Sequence, residues 1–198
     1  AFLRYEAVNR SLFSSVAEIH KPSVIVDSSK YGARALNLLR VFGPRLRVLC
    51  ITRSPEGLLT SFRKSGSDHS DEQKPKSHVA LIAYYFFVLI SMRLVQRRLG
   101  SQGYAIRYED MVSKPDDVLI GIQNWLGVDL TESRNRIAGK LPFTGGHIVT
   151  GNRLRKSPAI IFRTQQKEPA VVGWMSRTTV LVMRGMARLF AFGSSRNP

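Results

Sequence analysis

Apolar residues recur at threes and fours at Phe2, Tyr5, Val8, Leu12, Val16 and Ile19, which predicts an amphipathic helix over 2–19. Lys21-Pro22 ends it, and Val24-Ile25-Val26 reads as a short buried strand with Asp27, Ser28, Ser29 and Lys30 at its carboxyl end. Residues 33–42 read as a helix closed by Gly43-Pro44. The run at 47–51 reads as a strand buried on both faces. Ser54 is a good N-cap, Pro55 suits the first helical position, and Leu58, Leu59 and Phe62 give a helix over 55–64 its core face. Residues 65–77 are polar and rich in Ser, Lys and Asp, as in a loop or lid. A long helix over about 78–99 leads through Gly100 and Gly103 to a strand at 104–107. Helices at 115–126 and 131–139, an irregular basic stretch to about 170, and a helix from Trp174 to about Phe192 complete the chain.

Alternating helices and short apolar strands predict an α/β fold, a parallel sheet covered by helices on both faces. The length of 198 residues suits a single domain over 1–198 with a sizeable core, and no internal repeat is visible. The longest uncharged apolar stretch, Val79 to Met92, is fourteen residues against the roughly twenty that span a bilayer. It therefore reads as a buried core helix, and no membrane span is expected. The first residues carry distributed charge and no apolar leader core, so the cytoplasm is the expected location.

The single cysteine, Cys50, excludes an internal disulfide and a cysteine metal cluster, and reads as a small core residue. His20, His69, His78 and His147 are dispersed without metal-ligand spacing, so no metal is expected. The net charge is +16, and from Arg134 onward twelve Lys/Arg face one acid, Glu168. Such a surface favours polyanions. Nucleic acid, a doubly charged nucleotide and an acidic membrane surface all satisfy it. No helix-turn-helix, finger or aromatic RNA platform singles out specific nucleic acid.

The candidate chemistry gathers at predicted strand ends, where open α/β sheets bind ligands. Arg53 follows the strand at 47–51, and Ser61, eight residues on, shares a helix side with Ser54. A guanidinium fork and a hydroxyl can converge there on a phosphate. Tyr108 follows the strand at 104–107, where a ring can lie against an adenine. Glu109 and Asp110 read as caps or braces of the loop there. Arg153, Arg155 and Lys156, opened by Gly151, can fold over an anion or form a solvated basic loop.

In these residues the chain resembles the sulfotransferases that use PAPS, 3′-phosphoadenosine-5′-phosphosulfate. The resemblance is carried in order by VIVDSSK at 24–30, the Arg53 and Ser61 pair, RYEDMVSKP at 107–115, WLGVD at 125–129 and HIVTGNRLRKS at 147–157. It covers nearly the whole chain. It implies a parallel sheet like that of P-loop kinases. It also implies a sulfuryl transfer from PAPS to an acceptor hydroxyl or amine of a small molecule, carbohydrate or lipid, with PAPS as co-substrate and no metal. By resemblance, Arg53 and Ser61 hold the donor's 3′-phosphate, Tyr108 contacts its adenine, and the loop with Arg153, Arg155 and Lys156 closes over the phosphate. Arg155 matches the family position better than Arg153. Asp27 and Lys30 sit where such enzymes join substrate and sulfonate, so Asp27 is a candidate base and Lys30 a candidate cation, though the two can simply pair.

The family's first strand and Gly-containing phosphosulfate loop have no counterpart here, since residues 1–31 contain no glycine. The expectation is an incomplete sulfotransferase domain whose missing front lies upstream, with a Golgi lumen location if that front carries an anchor. Two other readings stand beside it: a non-catalytic adenosine 3′,5′-bisphosphate-binding module, and a basic nucleic-acid-binding protein.

Overall fold

The computed structural model describes residues 1–28, 31–64, 77–144, 159–164 and 173–189. Their order is α1 (Phe2–His20), α2 (Gly32–Phe42), β1 (Val48–Thr52), α3 (Pro55–Lys64), α4 (His78–Leu99), β2 (Gly103–Arg107), α5 (Tyr108–Ser113), α6 (Pro115–Leu126), α7 (Thr131–Ala138) and α8 (Trp174–Leu189). The described residues are mostly helical, with one parallel sheet of two strands, β1 and β2. Two compact units divide it. One holds Ala1–Val48 with Phe87–Gly103, and the other the described parts of Leu49–Phe86 and Tyr104–Pro198.

The first unit is helical. α1 stops at Lys21, which takes the left-handed conformation at φ 44° while its N–H bonds the Ala17 carbonyl, and Pro22 follows. α2 ends at Gly43, whose φ of 55° with ψ of −130° suits a residue without a Cβ. The loop after it is tied down by Gln102, whose Nε2 donates to the carbonyls of Gly43 and Leu46, each at 2.8 Å. Arg10 donates to the Val41 carbonyl near the end of α2 at 2.6 Å, and the Phe13 and Phe42 rings meet with centroids 4.9 Å apart. A three-residue apolar run does not suffice for a strand: among the described residues 24–26 pairs with no other segment, and Val26 is 83% exposed. The strand expected at 24–26 is not formed among the described residues, since a strand exists only through partners.

The second unit carries the sheet. Cys50 and Ile106 are buried, as are Leu119 and Ile122 of α6 and Ile137 of α7. Ile106, Leu119, Ile122 and Ile137 form one cluster, flanked by Tyr104, Met111, Phe143 and Phe162. Tyr104 stacks on Trp125 at 5.2 Å, and a Cβ on Gly121 would strike the Tyr104 hydroxyl and force that ring to shift. Asp116 and Asp117 sit in the first turn of α6, where negative charge complements the helix dipole, and Gly127 closes it at φ 70°. Within the stretch expected to be irregular, Phe143 and Ile160 form an antiparallel bridge.

β1 is not buried on both faces as its apolar run implies. Cys50 faces inward, whereas Leu49 and Ile51 point the other way, with Ile51 57% exposed. The expected sheet covered on both faces is therefore a small sheet packed on one face. α4 also departs from expectation. It is the one helix among the described residues long and apolar enough to cross a membrane, and only 22% of its most apolar window is buried. Leu81, Tyr85, Leu89, Val95 and Leu99 are buried, while Val79, Phe87 and Leu94 are exposed. Its apolar spacing continues past Arg93 to Leu99, which is why the helix exceeds the uncharged stretch seen in the sequence.

Candidate phosphate-binding edge

Parallel strands end on the same side, so the residues that follow β1 and β2 emerge together. Thr52, the last residue of β1, donates its hydroxyl to the Ile106 carbonyl of β2 at 3.2 Å, fixing the two ends in register. Arg53 leaves β1 there, and Tyr108 leaves β2. The Arg53 guanidinium carbon lies 4.7 Å from the centroid of the Tyr108 ring, a cation–π contact. Among the described residues no carboxylate pairs with Arg53, and its buried Nε has no hydrogen-bond partner. A guanidinium held on an aromatic face, with Nε unpartnered, can turn its donors to an external anion.

The start of α3 shapes this seat. The Ser54 hydroxyl accepts the Gly57 N–H at 3.2 Å, and its carbonyl accepts the Leu58 N–H, so Ser54 caps the helix as its sequence predicts. Gly57 makes room for the arginine: a Cβ at that position would lie 2.8 Å from Arg53 Nε and 3.2 Å from its Cγ. The sequence holds only one trace of this role, a glycine in the first turn of a helix, where its low helix propensity calls for another reason.

Glu109 holds the two strand ends together. Its Oε1 accepts the Ser54 backbone N–H at 2.8 Å. Burial pushes the Glu109 carboxyl up, but the Ser54 bonds, its own backbone N–H and the charge of Arg107 outweigh this and hold it below its ordinary value. The brace expected of Glu109 is therefore observed. The Tyr-Glu-Asp segment is not a loop, however. It forms the first turn of α5, where Glu109 and Asp110 favour the helix amino terminus. Nearby, burial first and then the charges of Glu56 and Glu109 push the Tyr85 hydroxyl above its ordinary value. Glu56 pairs with Arg184 of α8 at 2.5 Å.

The remaining expected residues are distributed differently. Ser61 lies exposed on α3, about 10 Å along the axis from Ser54, and is not part of the Arg53 and Tyr108 contact. Asp27 belongs to the first unit, where Oδ2 accepts from Arg34 Nε at 2.9 Å and Nη2 at 2.7 Å. That bond, ahead of the opposing effect of burial, raises Arg34 above its ordinary value, and Arg34 also donates to the Tyr5 hydroxyl at 3.2 Å. Ser29, Lys30, the polar segment 65–76, His147, Arg153, Arg155 and Lys156 lie outside the described residues. Cys50 is buried and free, its thiol pushed up by burial, as a core residue should be. No group of three or more metal-ligating side chains occurs among the described residues. Comparison with family models, with curated proteins and with solved structures finds no match.

Proposed function

We propose that this chain carries the 3′-phosphoadenosine half of the donor site of a PAPS-dependent sulfotransferase, on a sheet of the P-loop-kinase type. The observation that supports this reading is the Arg53 guanidinium, paired with no carboxylate among the described residues and seated on Tyr108 where two parallel strands end. The site demands an anion with a flat neighbour, because the guanidinium takes the charge and the tyrosine ring offers apolar area beside it. A nucleoside 3′-phosphate meets both demands. Ser61, further along α3, adds a hydroxyl to the same face, and Arg153, Arg155 and Lys156 supply further cations.

In the complete reaction the acceptor oxygen or nitrogen forms a bond to sulfur as the bridging bond from sulfur to the 5′-phosphate oxygen breaks. The acceptor proton passes to a base, and adenosine 3′,5′-bisphosphate leaves. Arginine and lysine neutralise the transferred charge, so the reading calls for no metal. The acceptor is a hydroxyl or amine of a small molecule, carbohydrate or lipid. Asp27 is the candidate base and Lys30 the candidate cation, but the Asp27 carboxylate is engaged by Arg34, which weakens it as a base. That ion pair favours a second reading, a module that binds the nucleotide without turnover.

Calorimetry tests the common premise. Adenosine 3′,5′-bisphosphate should bind more tightly than AMP, and Arg53→Ala should remove most of the difference, about 1.5–3 kcal/mol for a charged hydrogen bond. Equal affinity for the two nucleotides, or a preference untouched by Arg53→Ala, overturns the assignment. Labelled PAPS with a panel of hydroxyl acceptors then separates the readings: transfer means an enzyme, and binding without transfer means a module.

A further inference from the structure

α8 presents three different faces. Ser176, Thr179, Val180 and Met183, spaced at threes and fours, are buried, and this face packs on α3. His78 of α4 reaches Thr179 Oγ1 at 2.8 Å, and that hydroxyl donates to the Met175 carbonyl, so the inward face is tied down by polar contacts. The opposite face holds Trp174, Leu181, Val182 and Leu189, with exposures of 76%, 66%, 40% and 84%. Between the two runs a stripe of arginines, Arg177, Arg184 and Arg188, all exposed, and the helix has no acidic residue. A soluble surface helix normally places charged side chains outward and apolar ones inward. Here the larger apolar side chains are outside.

We propose that α8 docks on an anionic phospholipid surface, lying in the plane of the headgroups with Trp174, Leu181, Val182 and Leu189 inserted and Arg177 and Arg188 on lipid phosphates. The distance from Trp174 to Leu189 is about 22 Å along the axis, so one apolar band runs the length of the helix. Tryptophan suits the headgroup boundary, because its ring is apolar and its N–H can stay hydrated. Charge decides the partner. Two copies of this face would bring together arginine stripes on chains of net charge +16, whereas an anionic bilayer is complementary to them. Nucleic acid would satisfy the arginines but leave the leucines and the tryptophan against phosphates with no gain. Arg184, paired with Glu56, contributes less than its two neighbours.

The test is cosedimentation of the 198-residue chain with vesicles of phosphatidylcholine alone or with about a third phosphatidylserine, without nucleotide. The chain should bind the anionic vesicles and largely ignore the neutral ones. Fluorescence of Trp174, isolated by Trp125→Phe, should shift to shorter wavelength on binding. Leu181→Glu with Leu189→Glu should weaken binding tenfold or more, as loss of buried leucine area requires. Arg177→Gln should weaken it about fivefold, the expected effect of one cation at a charged surface. Both leucines are exposed, so a far-ultraviolet spectrum and melting curve like those of the parent establish that the variant is folded. Equal partition into both kinds of vesicle, or binding unaffected by the leucine pair, overturns the proposal. A concentration-dependent dimer dissolved by the leucine pair would assign the face to a second copy instead. Duplex DNA binding that Arg177→Gln weakens and the leucine pair spares, without vesicle binding, would assign it to nucleic acid.

Discussion

Arg53 depends on an atom that is missing. Gly57 offers no Cβ, and a methyl there would lie 2.8 Å from Arg53 Nε and 3.1 Å from the Ser54 hydroxyl. The arginine is the flexible partner, so it should move rather than the backbone. Gly57→Ala therefore has opposite effects on stability and binding. The helix gains up to about 1 kcal/mol from alanine over glycine, while the guanidinium leaves the Tyr108 ring. Thermal melting should show an unchanged or higher midpoint, and calorimetry should show about a tenfold or greater loss of affinity for adenosine 3′,5′-bisphosphate. In the Arg53→Ala background the same substitution should cost no further affinity. An equal loss in both backgrounds would mean that Gly57 acts on something other than Arg53. The position of Arg53 at a strand end is legible in its sequence neighbours, but its contact with Tyr108, fifty-five residues later, is not.

At the scale of elements, helix ends were the most legible features. Ser54-Pro55 opens α3 and Gly127 closes α6, because caps are made by side chains and dihedrals within a few residues of the end. The bond from the Ser54 N–H to Glu109 crosses between elements and carries a pH signature. The folded-state value of Glu109 is depressed, so its contribution is fully present above the unfolded value of about 4.3 and is lost as pH falls through the folded value. The residue as a whole is only half-buried, so the contribution is about 1 kcal/mol or less. Glu109→Gln should destabilise the protein in urea melts at pH 7, and the difference from the parent should shrink toward zero below about pH 3.5. A gap of the same size at both values would show that the contact depends on shape rather than charge.

At the scale of the whole molecule, thirty basic residues against fourteen acidic ones repel one another, and the ion pairs Arg10–Glu6, Arg34–Asp27, Arg134–Asp116, Arg136–Glu132 and Arg184–Glu56 relieve this only locally. Screening at about 0.15 M salt limits such repulsion to roughly 8 Å. The melting midpoint should therefore rise by a few degrees between low and physiological salt; a midpoint that falls would mean that the ion pairs outweigh the excess charge. The sequence by itself determined most of the helices, the ends of α3 and α6, the net charge and the placing of Arg53 and Tyr108 just after apolar runs, because each depends on hydrogen bonds or spacing within a few residues; α5, read as a loop, was not among them. Tertiary structure decided which runs became strands. Residues 48–52 and 103–107 found each other across fifty residues, while 24–26 found no partner among the described residues. It also decided burial, since Ile51 and Leu181 are as apolar as Cys50 and Val180 yet lie on exposed faces. A helix closes its hydrogen bonds within its own turn, but a strand, a buried face and an arginine on a tyrosine ring each need a partner that only the folded chain supplies.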